Sequence, residues 1–280
     1  MSLKSIAVFV DSSAAGISRA TYAVRLALQH GAHLIGIFAA PLDWQGNPAE
    51  SYVRGHDAIH ALIERHKEEE RRAAAAAGSA FQNATDRDDI SFEFRILPAD
   101  ETGEQALLHS LHTDLAIVGR PAPGGLPRNW SAEKLLLATG VPFLIVPDNW
   151  HGSTVAERIL VGWNASREAR RAISDARPLL TTAREVFIVV VDAPTNTRLG
   201  EEPGADIGHY LSRHGAQVTV ERIDTDGRSV AQALLDHAIH VGADLIALGA
   251  YSHSRASEIV FGGVTRTLLY RSPLPLFMAH

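Results

Sequence analysis

An internal repeat constrains the fold of this chain more than any other feature of its sequence. Ser5–Ser13 matches Arg158–Ser166, and Asp114–Gly119 matches Asp244–Gly249. The matched runs keep the same order in both halves, and each half closes on an apolar run led by a proline. Since the chain has 280 residues, each copy is close to the size of a domain.

Within each half, short apolar runs alternate with amphipathic stretches. Leu34–Phe38 and Val186–Val191 are apolar throughout, and they follow the amphipathic stretches Ser18–His30 and Arg167–Leu180. Continuously apolar strands separated by helices are typical of a parallel sheet that is covered on both faces. Right-handed crossovers make this a doubly wound sheet, with its ligand site at the carboxyl ends of the strands.

Composition excludes several classes of function. The chain has no cysteine, so it has no disulfide, zinc–thiolate site or thiol nucleophile. Its net charge of −6 and scattered tryptophans argue against nucleic acid as a partner. The first apolar run, Ile6–Val10, is too short for a signal peptide, and no apolar run reaches membrane-spanning length. We therefore expect a cytoplasmic protein that does not bind membranes.

The repeat predicts two domains, residues 1–149 and 155–280, joined by the polar linker Asp148–Glu157. The first domain carries a long helical insert at about residues 51–84, where the second has only Gly204–His214. The charged run Glu64–Arg72 within the insert predicts a solvated helix with ion pairs four residues apart. The alternative is a surface that binds a partner protein.

A candidate phosphate loop lies near the end of the chain. Gly249–Arg255 directly follows the apolar run Asp244–Leu248, and Phe261–Arg266 precedes the apolar helical stretch Thr267–Tyr270. Glycines allow a backbone to approach an anion, and the free N–H groups of a helix start point at it. This order of strand, glycine, loop and helix predicts a phosphate site.

With these features placed, the sequence resembles the universal stress protein family in its tandem, two-domain form. The resemblance rests on the loop Gly249–Thr265 and on the strand-to-helix turn Gly162–Arg170. It implies an α/β fold of two Rossmann-like domains, each a five-stranded parallel sheet with helices on both faces. Relatives with one domain often pair their last strands across a dimer. Here Phe143–Val146 and Leu276–Met278 would pair within one chain, giving an intramolecular pseudo-dimer.

Some members of this family bind ATP through the pattern Gly, two residues, Gly, nine residues, Gly, then Ser or Thr. Gly249 takes the first position here, but Ser252 replaces the second glycine. Gly262 takes the third position, and Gly263 replaces the hydroxyl residue, with Thr265 two residues later. The resemblance therefore implies phosphate contacts from Gly262, Gly263 and Thr265.

Arg255 and His253 add two candidate phosphate donors. The alternative for the whole loop is that it caps the following helix and packs against the other domain. In the family, an Asp after the first strand contacts adenine, and Asn164 stands at that position. Its amide pairs with an adenine edge or braces the turn. The predicted nucleotide site comprises Asn164, Ser166, Val191, Gly249, Ser252, His253, Arg255, Gly262, Gly263, Val264 and Thr265.

The first domain has changed in the opposite way. Asp11 and Ser13 keep the adenine-end pattern, but the loop after Gly119 contains Pro121, Pro123 and Pro127, which have no N–H to offer an anion. Asn129 and Trp130 replace the paired glycines, and Glu133 near the next helix start disfavours an anion. We therefore expect no ATP binding in the family manner by this domain.

No sequence pattern identifies a catalytic residue or a metal site. The chain lacks Walker A and Gly-x-Ser-x-Gly motifs, and the pairs His56/His60, His109/His112 and His237/His240 have no third ligand at motif spacing. The predicted function is a stress-response protein that binds ATP or AMP, with or without Mg²⁺, through its second domain and without turnover. A nucleotide-free regulatory scaffold with a protein partner is the alternative, and a slow ATP hydrolase is a third option. Association into a homodimer stays open.

Overall fold

The computed structural model describes residues 2–40, 56–86, 90–97, 109–120, 138–193, 201–250 and 263–280. The first half contains β1 (Ser5–Phe9), α1 (Ala14–His30), β2 (His33–Ala39), α2 (His56–Thr85), β3 (Phe92–Leu97), β4 (Leu115–Gly119) and β5 (Phe143–Val146). The second half contains β6 (Arg158–Gly162), α3 (Arg167–Thr182), β7 (Glu185–Val191), α4 (Ala205–Arg213), β8 (Val218–Ile223), α5 (Val230–His240), β9 (Leu245–Gly249), α6 (Gly263–Arg271) and β10 (Leu276–Ala279). No described helix combines the length and apolar character that a membrane crossing requires.

The described strands form a single sheet in the order β3-β2-β1-β4-β5-β10-β9-β6-β7-β8. All neighbours within a half are parallel, while β5 and β10 are antiparallel and pair Phe143 with Met278 and Ile145 with Leu276. The predicted α/β fold and the joining of the two halves through their last strands are thus confirmed. Because β5 and β10 run in opposite directions, the carboxyl ends of the strands lie on opposite edges of the sheet in the two halves.

Two apolar layers cover the sheet, and each continues from one half into the other. One layer includes Leu26 of α1, Leu144 of β5, Phe277 of β10 and Leu179 of α3. The opposite layer includes side chains of β5 and β10 together with α5 and α6. The continuous apolar runs of the sequence are buried on both faces, as a central parallel strand requires. The two halves therefore share their cores.

The connection between the halves is packed rather than loose, in contrast to the polar linker expected from its composition. Trp150 is buried and meets the Tyr22 ring edge-on, with 5.0 Å between ring centroids. The Ser18 hydroxyl donates to the carbonyl oxygen of Trp150 at 2.7 Å. Arg25 donates to the carbonyl oxygens of Gly152 and Ser153. The connection is thereby attached along α1.

Local side-chain contacts explain where α1 begins and how the exposed face of α2 is paired. α1 begins at Ala14, four residues before the predicted Ser18, because the Ser13 hydroxyl accepts from the backbone N–H of Gly16 and caps it. In α2, Arg65 pairs with Glu69 and Arg72 with Glu68, each four residues apart. The predicted solvated helix with such pairs is therefore confirmed.

Candidate functional site

Two glycines end neighbouring strands at the carboxyl edge of the second half. Gly162 ends β6 and Gly249 ends β9, and the helices that follow them in the chain, α3 and α6, pack on opposite faces of the sheet. Such a switch point is where doubly wound folds bind ligands. A Cβ on Gly162 would have Leu234 Cδ1 as its nearest neighbour, at 3.7 Å, whereas one on Gly249 would lie 2.3 Å from the Ala169 nitrogen. The first turn of α3 thus packs directly on Gly249.

The turn between β6 and α3 holds the predicted adenine end. The Asn164 side-chain oxygen accepts from the Ser166 backbone N–H at 3.1 Å, and the Ser166 hydroxyl accepts from the Ala169 N–H at 3.1 Å. Ala165 between them has φ of 55°, a left-handed conformation that costs energy for a residue with a Cβ. Asn164 therefore braces the turn, which was the structural alternative; a contact with adenine stays a prediction.

Val191 also lies at this carboxyl edge, as the last, half-buried residue of β7. The next residue, Asp192, accepts from both the backbone N–H and the hydroxyl of Thr225, at 2.9 and 3.0 Å. Asp192 too has a positive φ, of 48°. These hydrogen bonds connect the end of β7 to the segment after β8. They fix the backbone next to Val191, which itself belongs to β7.

The predicted phosphate contacts fall at the start of α6. Gly263 is its first residue and is exposed, and a Cβ there would have no neighbour within 4 Å in the part of the chain that the structure describes. Val264 is half-buried, whereas Thr265 is buried, with 5% of its surface exposed. Of the predicted phosphate contacts Gly263 and Thr265, Gly263 is therefore the more accessible. Ser252, His253, Arg255 and Gly262 lie outside the described residues.

Glu168 is a residue near this site that sequence reasoning missed. It lies in the first turn of α3, is 8% exposed, and pairs with Arg167 Nε at 3.2 Å. Its backbone is part of the turn that packs on Gly249. An acidic residue at a helix start is favourable for the helix but disfavours an anion without a cation nearby. The signal for it in the sequence was an acidic residue within the turn Gly162–Arg170, close to the start of the predicted helix.

Residues 156–280 match the sequence model of the universal stress protein family. The second half of the chain is a universal stress protein domain. No curated protein matches the sequence significantly.

The two-domain architecture is shared with solved structures. A universal stress protein from Archaeoglobus fulgidus DSM 4304 is 17% identical, covers 98% of this chain and 97% of its own, and has a TM-score of 0.66. A protein of unknown function from Pseudomonas aeruginosa PAO1 is 14% identical, covers 99% of this chain and 92% of its own, and has a TM-score of 0.55. A further universal stress protein, solved in complex with cAMP, is 17% identical, covers 44% of this chain and 97% of its own, and has a TM-score of 0.35.

The corresponding crevice of the first half differs from that of the universal stress protein domain. The Asp11 carboxylate accepts from the Ser13 backbone N–H at 2.8 Å and pairs with Arg19 at 3.0 Å. Arg19 also donates through Nε to the carbonyl oxygen of Phe9 at 2.6 Å. Burial lowers the pKa of Arg19, and the charge of Asp11 opposes that effect. Asp11, expected to keep the adenine-end pattern, is thus engaged in an ion pair.

Arg19 is the second residue that sequence reasoning missed. It is 3% exposed, and its guanidinium lies against Gly119 at the end of β4. The signal in the sequence was a cation on the apolar side of the predicted helix Ser18–His30. The proline loop after Gly119, including Asn129 and Trp130, lies outside the described residues, as does Glu133, so the prediction about that loop stays as it was.

One histidine in each of two predicted pairs contacts a charged side chain of the protein. His237 pairs with Glu221, and His109 Nδ1 lies 3.0 Å from an Arg95 guanidinium nitrogen. Burial, and then the charge of Arg95, lowers the pKa of His109. Across the part of the chain that the structure describes, no three His, Cys, Asp or Glu are grouped in a way that would hold a metal ion.

Proposed function

We propose that the universal stress protein domain binds an adenine nucleotide, ATP or AMP, and acts in a stress response by binding rather than by turnover. The observation that carries the proposal is the crevice at Gly162 and Gly249, where two strands end in glycine beside the start of α3. α6, which follows β9, also begins at this edge of the sheet, since it follows a parallel strand. Two helix starts direct free N–H groups and positive dipole ends toward the same region.

The two ends of this crevice suit the two ends of a nucleotide. The turn holds Asn164, whose side-chain oxygen accepts from Ser166 and whose amide is of the type that pairs with a base edge. The start of α6 at Gly263 offers backbone N–H groups, and Gly263 itself has no side chain to cover them. Adenine at the β6 turn and phosphates at α6 is the orientation that follows.

Electrostatics favour a nucleotide that brings its own cation. Glu168 adds a negative charge to the turn beside Gly249, which its ion pair with the exposed Arg167 offsets only in part. The described residues contain no group of three metal ligands, so Mg²⁺ would be held chiefly by the phosphates of ATP. We therefore expect ATP to bind more tightly with Mg²⁺ than without it, while AMP depends less on the metal.

Two variants of one residue test the proposal by calorimetric titration with ATP and AMP. Among the described residues a side chain at Gly263 meets no neighbour, so we expect Gly263→Asp and the uncharged control Gly263→Asn to keep the fold. We expect the wild type to bind with a Kd below about 1 mM. Gly263→Asp should weaken ATP binding at least about tenfold, since a carboxylate at the helix start repels phosphate. No binding by the wild type, or equal binding by both variants, would refute the proposal.

One observation supports the alternative of a protein scaffold. Ile59 and Ile63, one helical turn apart on α2, have 46% and 43% of their surfaces exposed. Apolar side chains grouped on an exposed helix face are typical of contact surfaces. Ile59→Glu with Ile63→Glu should then abolish capture of a partner that the wild-type protein retains, without affecting the ATP titration. Retention of every partner by the double variant would count against this function.

A further inference from the structure

A side chain of the chain itself fills the crevice between the carboxyl ends of β1 and β4. Arg19 reaches from α1 to the last residue of each strand: its Nε donates to the Phe9 carbonyl oxygen at 2.6 Å. Its NH1 nitrogen lies only 2.3 Å from where a Cβ on Gly119 would stand. A side chain at position 119 would therefore force the guanidinium out of this position.

Three sides of the Arg19 side chain are enclosed by the protein. The carbonyl oxygen of Phe9 and the carboxylate of Asp11 accept from it, and Gly119 packs against it. Asp11 is itself held by the backbone N–H of Ser13. An ion pair with 4% and 24% side-chain exposure leaves an uncompensated charge when either partner is removed. This arrangement of carbonyl, carboxylate and glycine forms a site shaped for a guanidinium.

The second half lacks both members of this pair. Counting six residues from the capping serine of each first helix leads from Ser13 to Arg19 and from Ser166 to Ala172. Asp11 corresponds in the same way to Asn164. At Gly249, the counterpart of Gly119, a Cβ would meet the backbone of Ala169 and Glu168 instead of a guanidinium, and at Gly162 it would meet only apolar atoms of Leu234 and Leu248. The two halves thus keep the same strand ends, but only the first half places a cationic side chain between them among the described residues.

We propose that Arg19 is a built-in occupant of the first-half crevice, where it takes the place of a ligand and confines ligand binding to the second half. The occupied site recognises a guanidinium group through one carbonyl oxygen and one carboxylate. The occupancy of the first half follows from its own contacts. Only the resulting stoichiometry of one nucleotide per chain rests on the proposed function.

Chemical rescue tests the occupancy without any nucleotide. Arg19→Ala removes the guanidinium and lowers the midpoint of thermal unfolding, followed by circular dichroism. Methylguanidinium at concentrations on the order of millimolar should raise that midpoint in a saturable manner, because a ligand that binds the folded state stabilises it. If Arg19→Ala does not fold alone, the yield of refolding with and without methylguanidinium gives the same information.

Three controls make the rescue specific. Arg25→Ala removes an exposed arginine of the same helix, so methylguanidinium should not raise its midpoint. Adding Asp11→Asn to Arg19→Ala removes the charged acceptor and should weaken the rescue at least about tenfold. Tetramethylammonium, a cation without donors, should rescue neither. No saturable rescue of Arg19→Ala, or an equal effect on Arg25→Ala, would overturn the occupancy of the crevice.

Stoichiometry then separates this inference from the proposed function. Calorimetric titration of the wild-type chain with ATP should give one site. Two sites would overturn the confinement of binding to the second half. No site at all would refute the proposed function, while the rescue experiment would still decide whether Arg19 occupies the first-half crevice.

Discussion

The close contact between Gly249 and the start of α3 predicts a large effect from one methyl group. In Gly249→Ala, the new Cβ would lie 2.3 Å from the Ala169 nitrogen and from the Glu168 carbonyl carbon. Non-bonded carbon atoms pack at about 3.5–4.0 Å, so the two elements must separate by about 1 Å. Both contacts are backbone atoms, which cannot move aside as a side chain does.

The magnitude follows from two opposing effects. Overpacking of this kind costs about 1–3 kcal/mol, and a backbone contact favours the upper part of that range. Gly249 does not have a positive φ, so alanine can adopt its backbone conformation. Because alanine lowers the conformational entropy of the unfolded chain, it also raises the free energy of unfolding by about 0.4–1 kcal/mol. We expect Gly249→Ala to lower the free energy of unfolding by about 1–2 kcal/mol.

Gly162→Ala is the matched control, because it adds the same methyl group at the neighbouring strand end. Its Cβ would meet Leu234 at 3.7 Å, an ordinary contact, so stability should stay the same or rise by up to about 1 kcal/mol. Urea unfolding followed by tryptophan fluorescence gives both values from the midpoint and slope. Equal midpoints for the two variants would refute the argument that α3 rests on Gly249.

Three further predictions concern the joint between the halves, a buried histidine and the packed connection. Phe277→Ala at the joint should lower the free energy of unfolding in urea by about 3–5 kcal/mol, because Phe277 is fully buried. The control Tyr270→Ala, at a half-exposed residue, should change this free energy by less than about 0.5 kcal/mol. Similar losses for the two variants would contradict the shared core. Burial lowers the pKa of His30, so the unfolded chain takes up a proton below about pH 6.5 while the folded protein does not. The stability that neutral His30 contributes is therefore complete above that pH and is lost as the pH falls toward the pKa of the folded state. His30→Gln should reduce the difference between the urea midpoints at about pH 7.5 and 5.5. An unchanged difference would exclude His30 as a source of this pH dependence. Trp150→Ala should cost about 3–5 kcal/mol by the same urea assay, a loss that a loose linker would not produce.

The strand pattern could be predicted because it depends on local composition, and the joining of the halves could be predicted because the family resemblance implied it. The apolar runs Ile6–Val10 and Leu34–Phe38 coincide with β1 and β2, and all four ends agree within one residue. The pairing of β5 with β10 followed from the family resemblance and from two apolar runs that needed cover. Capping was not predicted: the sequence placed Ser13 and Ser166 only in the nucleotide pattern, and the structure shows each as the residue that caps its helix.

The candidate site was predictable only in part, for a physical reason that Thr265 illustrates. Its position in the family pattern implied a phosphate contact, yet its burial depends on how α6 lies on the sheet. The sequence allowed Asn164 either to contact adenine or to brace the turn, and the structure shows that it braces the turn by accepting from Ser166. A pattern identifies which residues are near a site, whereas the direction of each side chain depends on the packing around it.

By itself the sequence determined the order of strands and helices, the two copies of the unit and the glycines that end β4 and β9. These depend on periodicity and on residue type, both of which are local. Only the tertiary structure decided that Arg19 lies between β1 and β4. Its site is formed by Phe9 and Asp11 from one segment and by Gly119 from another, which meet only when the sheet assembles. The cost of burying a charge is offset only where all three partners come together.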